Sequence, residues 1–216
     1  MKRFLTIIAI VAVGVAALLI LGRKDTQTPN SSDSSSNSTS SISKRTVGTG
    51  PVEVVEFADF QCPGCGSFYP IVKQVKEQNK EKITFKFKHF PLQSIHTNAR
   101  AAARATEAAA NQNKFFEMHD ILYENQASWS SSNNAPAIFE QYASQIGLNL
   151  EKYKSDVASS AVNDSINADL KEAQDKKLSG TPTIFIDGKE FDTKDIQTVE
   201  SFTKAIDDAL AAKPKS

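Results

Sequence analysis

The stretch VEVVEFADFQCPGCGSFYP, residues 52–70, contains both cysteines of the chain, Cys62 and Cys65. Val52 to Phe60 is rich in β-branched and aromatic residues and reads as a buried strand. Pro63 suits the first turn of a helix, where its missing N–H costs nothing. The helix continues over Ser67 to Asn79, and Pro70 predicts a kink or break within it. The pattern therefore delivers Cys62 from a strand to a helix N-terminus.

Three chemistries compete for a C-x-x-C pair. A structural disulfide would close so short a loop that it constrains little of the unfolded chain. A zinc site needs two further ligands, and His89, His96 and His119 show no metal-ligand spacing, so they read as structural or surface residues. A redox dithiol fits best. Unpaired N–H groups and the helix dipole at the α-segment's start favour a thiolate on Cys62, and the thiolate is the reactive species. Cys65, about one turn later, lies within disulfide reach but deeper. Cys62 is then the nucleophile and Cys65 the resolving thiol.

Glu56 shares strand parity with Val52, Val54, Ala58 and Phe60. A carboxyl on an apolar face is costly to bury unless its pKa rises. Beneath the dithiol it would accept the Cys65 proton during exchange; on an edge strand it would simply meet solvent or a lysine. Near the C-terminus, SGTPTIFIDG (residues 179–188) places Pro182 directly before a strand. The residues alone leave the Thr181–Pro182 bond open between trans and cis.

Outward from this centre, Ile83–Phe90 alternates as a second strand with one wetter face. Thr97–Asn111, Lys114–Asn125, Pro136–Ile146 and Leu150–Leu178 read as helices, the last divided at Asn163–Asp164. Thr183–Ile186, an Asp187-Gly188 turn and Lys189–Phe191 form a hairpin, and Thr198–Ala212 closes as a helix. A helical block inserted into a small α/β sheet is the simplest architecture.

The two charge signs balance at 25 residues each, so no basic excess points to nucleic acid. Phe4–Gly22 carries no charge over 19 residues, enough to span a hydrocarbon core of roughly 30 Å. Lys2 and Arg3 favour a cytoplasmic N-terminus. A signal-anchor is expected, with a cleaved signal peptide the competing reading. Either way the remainder lies outside the cytoplasm. Residues 25–43 contain nine serines and no aromatic residue, too little apolar surface to fold. The expected divisions are a membrane segment at 1–24, a disordered linker at 25–46, a first sheet portion at 47–95, a helical insert at 96–176 and a second sheet portion at 177–212.

VVEFADFQCPGCGSF, FKHFPL (87–92), LYENQASW (122–129) and SGTPTIFIDG occur in the order found in one family. From about Val47 to Leu210 the chain resembles the DsbA-like thiol–disulfide oxidoreductases of the thioredoxin superfamily, closest to membrane-anchored Gram-positive-type members. The resemblance implies an α/β thioredoxin fold with an all-helical insert over the dithiol side. It implies a cis bond at Thr181–Pro182 and substrate pairing along the backbone there. It places Glu56 at the family's buried acid, and has Phe60, Gln61, Pro63, Gly64 and the Trp129 region line the substrate surface. Implied partners are unfolded or nascent exported polypeptides and a membrane quinone-linked thiol oxidase of DsbB or VKOR type. No metal or organic cofactor is expected, nor nucleic acid, and the protein is expected to be a monomer. A reductase or isomerase, and an inert anchored binding domain, are the competing functions. One departure stands out: the strongest oxidants of the family carry a histidine after the proline, and Gly64 supplies no such charge. Cys62 is then expected to rely on the helix terminus.

Overall fold

The computed structural model describes residues 42–214. The expected membrane segment at 4–22 and most of the linker lie outside those residues. No helix among the described residues is long and apolar enough to cross a membrane.

Five strands form one sheet: β1 (Thr46–Val47), β2 (Val52–Ala58), β3 (Ile83–His89), β4 (Thr183–Ile186) and β5 (Lys189–Phe191). Their spatial order is β1-β3-β2-β4-β5. Strand β2 runs parallel to β3 and antiparallel to β4, with Glu56 opposite Phe87 on one side and Ile184 on the other. A central strand covered on both faces needs apolar residues at almost every position, and six of the seven residues of β2 are buried. On β3 buried and half-buried positions alternate along its whole length, as the alternating sequence requires.

Helix α1 (Pro63–Gln78) follows β2, and a helical block lies between β3 and β4: α2 (Ala99–Ala110), α3 (Phe115–Glu124), α4 (Gln126–Trp129), α5 (Ala135–Gln145), α6 (Leu150–Ala158) and α7 (Ser160–Asp175). A 3-10 turn (Thr193–Ile196) and α8 (Val199–Ala211) close the chain. One core joins the sheet to α1, α2, α3 and α8 through Phe87, Phe68, Ala102, Met118, Leu122 and Phe202. A smaller one packs Val55, Phe57 and Phe185 from the opposite sheet face against Ala173 of α7.

Four expectations are corrected. The linker does not run to residue 46. Arg45 is buried, with Nε 3.0 Å from Glu107 and the guanidinium paired with Asp169, and Thr46 opens β1. A serine-rich composition gives no hint of an arginine at its end whose partners lie on α2 and α7. The long helix divides at Ser159, whose hydroxyl accepts from Val162 N and caps α7. Asn163 instead accepts hydrogen bonds from Arg100 and Arg104. Helix α1 runs unbroken through Pro70, because packing of Phe68, Tyr69, Val72 and Val75 outweighs one missing hydrogen bond. Strand β2 ends at Ala58, two residues early, where Asp59 takes the chain into a turn.

Candidate active site

The turn Asp59–Cys62 joins β2 to α1, and Cys62 occupies the N-cap of that helix without making a side-chain cap hydrogen bond. A serine or aspartate there would satisfy the first-turn amides; a cysteine leaves them facing its sulfur. Asp59 fixes the turn from below. Its buried carboxylate accepts from Gln61 N and Leu92 N, each at 2.8 Å, and lies 2.7 Å from Nδ1 of His96. Its carbonyl accepts from Cys62 N at 3.1 Å.

Cys62 is half-buried and Cys65 is buried, both as free thiols. Their acidities diverge. The Cys62 thiol is pulled down to about 5, chiefly by the hydrogen bond from Cys65, with help from the Thr181 side chain and the backbone amides of Cys65 and Gly64; partial burial opposes this. Cys62 Sγ also lies 3.4 Å from the Thr181 carbonyl oxygen. That contact serves the neutral thiol as donor. Burial drives Cys65 well above its ordinary value, reinforced by its bond to Cys62 and that residue's charge. The helix terminus thus supplies part of the Cys62 acidity expected of it, and the partner thiol supplies the largest part.

Glu56 is buried on β2, and burial raises its carboxyl to about 7 while the charge of Lys76 opposes the rise. Lys76 reaches in from α1, its ammonium 4.4 Å from the Phe116 ring centre and 5.2 Å from that of Phe85. Burial lowers its own pKa. An aromatic cage of Phe60, Phe87, His119 and Tyr123 lies alongside, with ring centres 5.0–5.6 Å apart.

Thr181–Pro182 is cis, and the Cδ of Pro182 lies 3.6 Å from a Cβ placed on Gly64. Thr181, Pro182, Pro63 and Gly64 therefore meet around the Cys62 sulfur. Two expected surface residues sit elsewhere. Phe60 is buried and stacks on Phe87. Trp129 is fully buried, donates to the Leu122 carbonyl at 2.9 Å and meets Phe139 edge-on. An apolar ring beside a hydrophobic run is claimed by the core, which outbids the surface for such area. Gln61 is half-buried, with both ends of its amide engaged: Nε2 donates to Ser130 O at 2.7 Å and Oε1 accepts from Asn98 N at 2.6 Å. His89 and His119 are buried and His96 serves Asp59. No cluster able to hold a metal ion occurs among the described residues. Sequence reasoning missed Asp59, Lys76, Tyr123 and Gln126. A lysine in an amphipathic helix, or an amide in a polar run, carries no pattern until the fold brings the one toward Glu56 and the other to the Cys62 turn.

A strand–turn–helix carrying C-x-x-C, opposed by a cis-proline loop on the central sheet, defines a dithiol-exchange class of protein, and known proteins agree. The thioredoxin family profile matches residues 46–208. The chain is 30% identical over 173 residues to the probable disulfide bond formation protein D of Bacillus cereus, covering 74% of each. It superposes on oxidised BdbD from Bacillus subtilis with a TM-score of 0.68 at 23% identity, covering 79% of this chain and 95% of that one. MdbA from Actinomyces oris superposes at 0.60, with 19% identity and coverage of 76% and 86%. A stretch of 139 residues is 37% identical to the Na(+)/H(+) antiporter NhaA 3 of Salinispora tropica, but the chain spans only 20% of that protein's length. The chain belongs to the DsbA-like thiol–disulfide oxidoreductases of the thioredoxin superfamily.

Proposed function

We propose that the protein donates the Cys62–Cys65 disulfide to exported polypeptides outside the cytoplasm. The observation that carries this reading is the asymmetry of the pair: Cys62 is half-buried at the N-cap of α1 and faces the cis Thr181–Pro182 bond, while Cys65 is buried behind it, and their acidities split accordingly. A substrate thiolate attacks Cys62 Sγ of the oxidised pair, forming a mixed disulfide while Cys65 leaves as a thiolate. The high proton affinity of Cys65 draws a proton at once, and Glu56, with a carboxyl near 7, supplies it, the reverse of the transfer in which it accepts the Cys65 proton when the pair is reoxidised. A second substrate thiolate then attacks its own chain's sulfur in the mixed bond. The substrate disulfide forms and Cys62 departs as the stable thiolate. Two electrons and two protons have left the substrate; one proton replaces, through solvent, the one that Glu56 gave to Cys65, and the other stays in solvent.

Thr181 and Pro182 hold an extended substrate along the open groove that Ser179, Thr183, Glu190 and Phe191 also line, while Pro63 and Gly64 leave the sulfur uncovered. No metal or organic cofactor takes part. A membrane quinone-linked thiol oxidase reoxidises the pair, and the apolar segment at 4–22 keeps the enzyme beside it as a monomer. The test is capture in cells. Cys65→Ala accumulates mixed disulfides with exported proteins, and Cys62→Ala accumulates none. Absence of any adduct in Cys65→Ala, under conditions where that protein is folded and exported, refutes disulfide donation.

A further inference from the structure

The turn carrying Cys62 is held from outside by the helical insert as well as from below by Asp59. Gln126, the first residue of the short helix α4, extends its carboxamide beneath the turn. Nε2 donates to the carbonyl oxygens of both Phe60 and Cys62, at 2.7 and 2.9 Å. The Cys62 carbonyl also accepts from Gly66 N at 3.0 Å, the first hydrogen bond of α1. The two carbonyls would otherwise present partial negative charge beside the sulfur that has to ionise. A neutral donor between them offsets that charge and adds no titration of its own.

Gly66 makes room for this amide. A Cβ built there would lie 2.4 Å from Gln126 Oε1, 2.9 Å from its Cδ and 3.0 Å from its Nε2. Inside a helix glycine costs about 1 kcal/mol relative to alanine, so its presence in the second turn of α1 calls for a packing reason. A second strap runs parallel. Gln61 and Asn98 tie the same turn to the Trp129–Ser132 backbone, with Asn98 Nδ2 donating to Trp129, Ser130 and Ser132 carbonyls at 3.2, 3.2 and 2.9 Å.

We propose that Gln126 is a positioning residue for Cys62: its carboxamide, seated against the bare α-carbon of Gly66, fixes the turn that presents the sulfur to the amides of Gly64 and Cys65. The helical insert thereby takes part in setting thiol reactivity. The role deepens the disulfide-donor reading, yet it is measured on the thiol itself, without substrate or transfer.

The experiment follows iodoacetamide alkylation of Cys62 in the reduced protein from pH 4 to 9, for wild type, Gln126→Ala, Gly66→Ala and the double variant. In wild type the rate rises with a midpoint near 5. In Gln126→Ala the midpoint rises by about one unit, so alkylation is on the order of fivefold slower at pH 5 and unchanged at pH 9, where Cys62 is ionised in both proteins. Gly66→Ala evicts the same carboxamide and shifts the midpoint likewise, even though alanine favours the helix. The double variant matches either single one, because both remove a single contact. A purely packing role predicts altered stability with the wild-type midpoint retained, and that outcome in either single variant overturns the proposal. Should Gln126→Ala fail to fold, Gly66→Ala alone decides it. A wild-type midpoint near 8.5 would instead refute the donor reading beneath it.

Discussion

Lowering the pH should selectively weaken the reduced protein, and Cys62→Ala should abolish that selectivity. In the folded state the Cys62 thiol lies at about 5, against 9.0 for an unperturbed thiol. A group whose folded pKa is depressed contributes stability that is fully present above its unfolded pKa and is lost as pH falls through the folded one. Here the window runs from about 9 down to about 5. At pH 7 two units of that window have been gained, about 2.7 kcal/mol at 1.36 kcal/mol per unit. The sulfur is only half-buried, so solvent screens its donors, and we take roughly half, about 1.4 kcal/mol. The oxidised protein has no such thiolate. The same energy therefore favours reduction of the disulfide and makes it more oxidising by about 30 mV. The assay is urea unfolding of reduced wild type and reduced Cys62→Ala at pH 4.5, 6, 7 and 8. Glu56 titrates in both proteins, so its contribution largely cancels in the difference. Wild type should gain on the variant by about 1.4 kcal/mol between pH 4.5 and 7. A difference that stays constant over that range refutes the thiolate argument, and with it the source of oxidising power.

Glu56→Gln tests the buried acid. Its folded pKa of about 7 lies above the 4.5 of a free carboxyl, so the group stabilises the fold below 4.5 and loses that advantage as pH rises through 7. The variant should gain about 3 kcal/mol on wild type between pH 4.5 and 8 in urea unfolding, and its thiol exchange should slow more at neutral than at alkaline pH; parallel stability curves would refute the burial argument. Arg45→Met leaves the carboxylates of Glu107 and Asp169 without their arginine. Thermal or urea unfolding should show a loss of about 3–5 kcal/mol, and a loss under 1 kcal/mol would show that the segment leading into β1 is not anchored there. Gly50→Ala puts a Cβ 1.9 Å from the Lys82 carbonyl carbon. The backbone has no rotamer with which to yield, so the variant should lose at least about 2 kcal/mol, and wild-type stability would contradict the close approach.

The residues themselves determined the strand–turn–helix around Cys62 and Cys65, the hairpin at Asp187-Gly188 and the inserted helices. Each rests on local signals: β-branched runs, a proline in the first helical turn, an Asp-Gly pair in which both residues adopt positive φ. Glu56 stood out because a charge on an apolar strand face is visible in the parity of neighbouring residues. Only the tertiary structure decided which polar groups reach the sulfur. The pull of Cys65 on Cys62, the clasp of Asp59 on Leu92 and His96, and the Gln126 amide at the turn depend on groups up to 66 residues apart meeting at one point. Spacing along a chain encodes local periodicity, and it carries no signal for a single hydrogen bond between distant segments. For the same reason the sequence does not show that Phe60 and the ring of Trp129 lie in the core: which face of a turn is covered depends on the helices that fold back over it.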